Sequence, residues 1–312
     1  MKKRVLAIVG PTASGKSALA IELAKRLNGE IICCDSMQIY KEMNIGTAKP
    51  SKEELSLAVH HLFDFADPKS SFSCADYIPL AKDVVEDIIS RGKTPIFCGG
   101  TGLYLDRFLS GADFESTEID KNFRREMNNF ALEFGNEALH NKLREIDPKS
   151  AEEIHPNNVK RVIRALEIYK TSGKTKSEVD RLSKVQESEY ESIQIGLKYE
   201  DREILYSRIN MRVDRMIAMG LLDETKILLE NGVFEQNATA AQAIGYKELL
   251  SYFAGEKTLE DAIEDLKMAT RRYAKRQMTW FSSHGDVQWL IADGKTLDEL
   301  VEKAEEIIKT KN

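Results

Sequence analysis

The sequence predicts an α/β protein: a parallel sheet flanked by helices and carrying a helical insertion. Three observations point there. Short apolar runs that stop at glycine or proline alternate with segments of helical period. A glycine-rich turn stands between the first such run and the first helix, and a long charged stretch without strand-like alternation interrupts the pattern midway.

Arg4–Val9 reads as a buried strand closed by Gly10-Pro11. Lys16–Leu27 places Leu19, Leu23 and Leu27 on one helical face, with Ala20 and Ala24 between them, and Asn28-Gly29 stops it. Glu30–Cys33 is a second short strand, and His61–Phe65 and Pro95–Cys98 read as further strands. Between these two, Ala75–Ser90 is helical, with Ile78, Ala81, Val85 and Ile88 on one side. Alternation at this spacing implies βαβ units. After Ser110-Gly111 the character changes, and residues 116–189 are charged and helical in pattern. They are expected to form an insertion or lid, leaving residues 1–115 and 190–312 as the core. Ser192–Leu197 resumes the sheet, Glu200–Phe281 is helical, Val287–Ile291 is a last strand and Leu297–Ile308 a final helix.

The composition is that of an ordinary globular chain: 312 residues, 42% hydrophobic and 31% charged. Seven prolines, 18 glycines and no repeats exclude a low-complexity chain. Apolar runs such as Val5–Val9 fall far short of the ~18–20 residues of a membrane span. The basic start Met1–Arg4 is followed by too few apolar residues for a secretory leader. Cys33, Cys34, Cys74 and Cys98 show no C-x-x-C spacing, which fits a reducing cytoplasm and no structural zinc. His60-His61 and Cys33-Cys34 lack a third ligand at useful spacing and are expected to be structural. A monomer is expected.

Gly10-Pro11-Thr12-Ala13-Ser14-Gly15-Lys16-Ser17 matches G-x-x-x-x-G-K-[ST]. Its glycines let successive backbone N–H groups turn toward phosphate oxygens, and the following helix adds its positive N-terminal end. Lys16 supplies a point charge, and the Ser17 hydroxyl can hold Mg²⁺ through a bound diphosphate. Gly10, Thr12, Ala13, Ser14, Gly15, Lys16 and Ser17 are therefore the candidate diphosphate cradle, and the fold narrows to a P-loop NTPase-like sheet. One feature departs from NTPases that cleave a γ-phosphate. The strand Pro95–Cys98 ends in Gly99-Gly100-Thr101-Gly102 with no acid to organise Mg²⁺, and the acid that follows a strand near the loop is Asp35. Small-molecule kinases remain, as do enzymes for which a diphosphate is the leaving group.

Seven blocks in order carry a resemblance: GPTASGKS (Gly10–Ser17), DSMQIY (Asp35–Tyr40), GTAKP (Gly46–Pro50), GGTGLY (Gly99–Tyr104), HPNNVKRVIRALE (His155–Glu167), QAIGYKE (Gln242–Glu248) and RYAKRQMTWF (Arg272–Phe281). Together they resemble the tRNA dimethylallyltransferases, the tRNA isopentenyltransferases of bacteria, from about Val5 to Phe281. The resemblance implies transfer of a dimethylallyl group from its diphosphate to N6 of the adenosine 3′-adjacent to the anticodon. It places Asp35 as the base on the adenine amine, Thr101 beside the departing oxygen and Lys16 on the diphosphate. A carboxylate suits that role because an exocyclic amine becomes acidic only as it acquires positive charge. Read from the residues alone, Asp35 is equally a helix cap or an acid near Mg²⁺, and Thr101 an N-cap.

The resemblance further implies tRNA contacts at Asp35, Ser36, Met37, Gln38, Thr101, Arg124, Val159, Lys160, Arg161, Val162, Ile163, Arg164, Gln242, Gly245, Arg272 and Lys275. Ser36 and Gln38 would meet the extruded base. Arg208 and Arg212 are weaker candidates for diphosphate or tRNA. Its cofactor would be Mg²⁺, and its substrates dimethylallyl diphosphate and a tRNA anticodon stem-loop. A small-molecule or nucleoside kinase, a prenyltransferase acting on free AMP or ATP, and a non-enzymatic RNA-binding module stay open as alternatives.

The net charge of −6, taken as a sum, argues against a nucleic-acid partner. Resolved along the chain, it does not. Lys267–Arg276 holds five basic residues and no acid, Lys160, Arg161 and Arg164 stand opposite an apolar helical side, and Lys121, Arg124 and Arg125 form a third cluster. A solvated face is the ordinary fate of any one such run, whereas three together fit phosphate-backbone contact. Tyr273 can stack on a base, while Trp280 and Phe281 are expected in the core.

Overall fold

A computed structural model describes residues 2–111, 120–185, 188–283 and 286–311. Strands β1 (Lys3–Val9), β2 (Gly29–Cys33), β3 (His60–His61), β4 (Thr94–Cys98), β5 (Tyr190–Lys198) and β6 (Val287–Ile291) form one sheet in the order β3-β2-β4-β1-β5-β6. Every pairing is parallel, with Ile8 opposite both Cys98 and Ile195. The sheet of a P-loop NTPase-like fold is thus in place. Chain order reverses around β1, so the loop after it sits at the switch point, outside the carboxyl ends of the strands.

Alternation along β1 supplies both cores. Val5, Ala7 and Val9 pack on one side with helices α3 (Cys74–Ser90) and α4 (Gly102–Leu109), and Leu6 and Ile8 on the other with α1 (Lys16–Arg26). A side chain buried on both faces is what an all-apolar strand demands, and the strand has no exposed edge here. Short α2 (Lys52–Leu57) and α3 both begin with capping boxes, Ser51 with Glu54 and Ser73 with Asp76.

The strand expected over His61–Phe65 shrinks to His60–His61. Leu62 and Asp64 adopt positive φ of 57° and 55°, which breaks the extended chain. The backbone N–H groups of Asp64, Phe65 and Ala66 then donate to Gln38 O and Ile39 O instead of continuing a ladder. His61 serves the fold: its Nε2 lies 2.7 Å from Oε2 of the buried Glu30, which also receives Arg91 and Lys93.

The chain divides into two compact units, 1–109 with 190–312, and 110–189. The boundary expected at residue 116 lies outside the described residues. The second unit comprises α5 (Lys121–Phe134), α6 (Asn136–Ile146), α7 (Pro148–Glu153), α8 (Val159–Ser172) and α9 (Lys176–Val185). Its core includes Met127, Leu139, Leu143, Val162, Ile163 and Leu166. In the first unit α10 (Arg202–Ala218), α11 (Leu221–Glu230), α12 (Val233–Gln236), α13 (Lys247–Phe253) and the long α14 (Leu259–Ser283) build a helical layer around Ile39, Tyr40 and Met43, and α15 (Leu297–Thr310) closes the chain. Among the described residues no helix is long and apolar enough to cross a membrane.

Candidate active site

The phosphate loop begins where β1 runs out. Gly10, Ala13 and Gly15 have φ of 132°, 61° and 99°, so the backbone curls rather than extends. A Cβ at Gly10 would stand 2.5 Å from Leu197 O of the neighbouring β5, which only glycine avoids. The Lys16 ammonium donates to Pro11 O at 2.7 Å and keeps two further N–H donors. Burial, with the nearby Arg212 charge adding to it, lowers the Lys16 pKa to about 8. Arg212 is itself lowered by burial. The buried Ser14 hydroxyl has no hydrogen-bond partner among the described residues, as expected of a loop built around something else.

A pocket opens at the carboxyl ends of β1, β2 and β4. Thr12, Lys16, Ser17, Asp35, Arg212 and Tyr273 are among the residues that line it. Asp35 follows β2 directly, and its Oδ1 accepts the Met37 N–H at 2.9 Å, which orients the carboxylate. The end of β4 carries Gly99-Gly100 and no acid, as the sequence indicates. Thr101 is tied to the Asp35 segment from the other strand: Ser36 N–H donates to Thr101 Oγ1 at 3.1 Å, and Thr101 N–H to Cys34 O at 3.1 Å. The Tyr273 phenol faces Asp35, Thr101 and Gln277, and burial beside the Asp35 charge holds it neutral, well above the usual phenol range.

The structure therefore gathers part of the residues singled out in the core. Thr12, Lys16, Ser17, Asp35, Gln38 and Arg212 line one pocket, with Thr101 bonded to its rim. Arg208 lies just outside, donating from Nε to Ala13 O at 3.0 Å while its guanidinium lies over the Tyr199 ring. Gln38 also has a use within the fold. Its Nε2 donates to both Thr47 O and Ala48 O, so its amide hydrogens brace the Gly46–Pro50 segment while the residue lines the pocket. Met37 is half-buried against the helical layer. Gly245 is buried, with its N–H bonded to Glu248, and serves to pack on Gly46; Gln242 is exposed. Arg272 and Lys275 lie exposed on α14. Phe281 is core as expected, and Trp280 is half-buried, its Nε1 donating to Asp106 at 2.8 Å.

The insertion corrects two assignments. Val162 and Ile163 are 0% and 3% exposed and belong to its core, so their side chains offer nothing to an RNA. The regular helical spacing that puts Lys160 and Arg161 outside puts these two inside. Arg124 and Arg164 converge on Glu167, which is 0% exposed, at 2.7 and 2.5 Å, and so hold the insertion together. Lys160 and Arg161 are fully on the surface, with Val159 half-buried between the two sides.

Two contributors escape the sequence. Glu224 accepts N–H groups from Asn44, Ile45 and Gly46 and the Tyr246 hydroxyl at 2.7 Å, which pins the segment that walls the pocket. Gln277 reaches the phosphate loop from α14. An acidic and an amide residue in amphipathic helices give no signal of this kind, because their partners are backbone groups far away in sequence.

With that geometry in place, the comparisons with known proteins are decisive. A family model described as IPP transferase matches residues 38–284. A tRNA dimethylallyltransferase of Acetivibrio thermocellus is 50% identical over 299 residues, covering 96% of this chain and 95% of the relative. The chain belongs to the IPP transferase family. Another relative, the tRNA dimethylallyltransferase of Thermoanaerobacter sp. strain X514, is 47% identical over 302 residues, 96% of each chain. Among solved structures, the tRNA isopentenylpyrophosphate transferase of Bacillus halodurans superposes with a TM-score of 0.74 at 44% identity, covering 100% of this chain and 97% of the other. A eukaryotic dimethylallyltransferase acting on tRNA gives 0.81 at 33% identity, covering 99% and 80%. This IPP transferase thus joins a phosphate loop to a carboxylate, Asp35, across one pocket.

Proposed function

We propose that this chain transfers a dimethylallyl group from dimethylallyl diphosphate to N6 of the adenosine 3′-adjacent to the anticodon in tRNA, releasing diphosphate. The observation that carries it is the shared pocket, whose lining combines Lys16, Ser17 and Arg212 with Asp35 and has no acid at the end of β4. A γ-phosphoryl transfer would want that missing acid. A departing diphosphate wants cations and N–H groups, which are present.

The chemistry follows from that lining. The bond between the allylic carbon and the diphosphate oxygen breaks as the bond from that carbon to N6 forms. Negative charge collects on the leaving group, where Lys16, Arg212 and the loop amides stabilise it, and the Thr101 hydroxyl donates to the departing oxygen. N6 becomes acidic as it acquires positive charge, and the Asp35 carboxylate takes its proton. The allylic carbon passes through carbocation character, so a seated base must keep water out. Hard oxygen donors suit Mg²⁺, and Ser17 would hold it together with the diphosphate oxygens; when bound it supplies charge to the leaving group.

For the tRNA, the exposed Arg272, Lys275 and Arg276 of α14 and the exposed Lys160 and Arg161 of the insertion offer phosphate contacts. A free nucleotide needs no such surfaces. The test is to incubate the protein with labelled dimethylallyl diphosphate and unmodified tRNA, beside AMP and ATP. Label is expected in tRNA only, and Asp35→Asn should cut turnover by roughly a hundredfold or more while tRNA binding persists. Label in AMP or ATP but not tRNA would replace this proposal.

A further inference from the structure

Gln277 is 4% exposed in the middle of α14, yet it is no filler. Its Oε1 accepts the Thr12 N–H of the phosphate loop at 2.8 Å, and its Nε2 donates to Gly100 O at 3.1 Å. One amide therefore joins the loop after β1 to the segment after β4 that carries Thr101. The fit is tight: a Cβ on Gly100 would stand 1.9 Å from Gln277 Nε2. Its neighbours on the same helical face grip the same region. Tyr273, one turn earlier, lines the pocket, and the Trp280 indole packs where a Gly102 Cβ would stand 2.2 Å away.

Resting on the diphosphate function proposed above, we infer that Gln277 is a positioning residue for the leaving group. It fixes Thr12 and Gly100 in one register, so that Lys16 and Ser17 from the loop and Thr101 from the β4 segment meet the same diphosphate. An apolar residue of equal size would leave a buried N–H and a buried C=O unpaired and let the two segments part.

The test compares the wild type with Gln277→Met, which keeps the volume, and Gly100→Ala, which pushes on the same amide from the other side. Inorganic pyrophosphate with Mg²⁺ is titrated by calorimetry, KM is measured separately for dimethylallyl diphosphate and tRNA, and melting temperature reports the fold. Both folded variants should weaken pyrophosphate and raise KM for dimethylallyl diphosphate about tenfold, with tRNA affinity unchanged. A purely structural role would lower the melting temperature and both substrates' apparent affinities together. If either folded variant binds pyrophosphate as the wild type does, the assignment of Gln277 is overturned. If the wild type itself binds no pyrophosphate, the diphosphate function fails, and the assignment with it.

Discussion

Ser36 N–H donates to Thr101 Oγ1 at 3.1 Å, tying the segment after β2 to the segment after β4 across the mouth of the pocket. The Thr101 oxygen thereby accepts from the backbone, and its hydroxyl donates to Ser36 Oγ at a long 3.5 Å, a hydrogen that a departing oxygen can take over. Thr101→Ala should lower kcat by roughly tenfold to a hundredfold, the range for losing one donor to a departing oxygen. Thr101→Ser should retain most of the rate. Steady-state kinetics of the two variants check this, and equal losses in both would remove the hydroxyl from the chemistry.

Lys16 sets a pH limit on diphosphate binding. Its pKa in the free protein is lowered to about 8, and the charged form is the one that binds an anion. Affinity for pyrophosphate should therefore fall as pH rises through 8, by roughly eightfold between pH 7.5 and 9. Relative to Lys16→Arg, whose guanidinium stays charged throughout, the wild-type affinity should fall over that range, even if the variant binds less well. Calorimetric titrations across the pH series check the slope.

Glu30 sets an acid limit on the fold. Its carboxyl is held below the ordinary 4.5, first by the Arg91 hydrogen bonds and then by Lys93 and His61. A depressed carboxylate contributes stability that is complete above its unfolded value and lost as pH falls toward the folded one. Glu30→Gln should therefore cost about 3 kcal/mol at pH 7, since it leaves Arg91 and Lys93 around a neutral group. That gap to the wild type should close as pH drops below 4.5. Denaturant melts at pH 7 and at successive pH values from 4.5 down check both halves.

The basic face of α14 has a salt signature. Arg272 and Lys275 are exposed, and changing both to Ala should weaken tRNA binding and reduce the slope of log affinity against log salt by roughly 1 to 2. Filter binding over a salt series reads the slope, and an unchanged slope would make this face merely solvated.

Much of the core was legible because its signals are local. Val5–Val9 is apolar throughout since β1 is covered on both faces, and the loop motif follows from glycine at fixed spacing. What failed was non-local. Nothing in His61–Phe65 announces that Leu62 and Asp64 take positive φ and that the chain turns to pair with Gln38 and Ile39. The ties of Arg124 and Arg164 to Glu167 were hidden, since Glu167 is buried in the helical insertion. Sheet order was equally hidden, because β5, which pairs with β1, lies more than 180 residues along the chain. Gln277 and Glu224 act on backbone groups of distant loops, a relation that no periodicity encodes.

The most direct measurement places the transferred group. An anticodon stem-loop is offered labelled dimethylallyl diphosphate in two forms, one with adenosine 3′-adjacent to the anticodon and one with purine riboside there, which lacks only the exocyclic amine. The first should yield one labelled nucleoside, N6-dimethylallyladenosine, with one diphosphate released per label, and the second should yield none. Label at any other position, or equal labelling of the purine form, would contradict transfer to N6 and with it the role of Asp35.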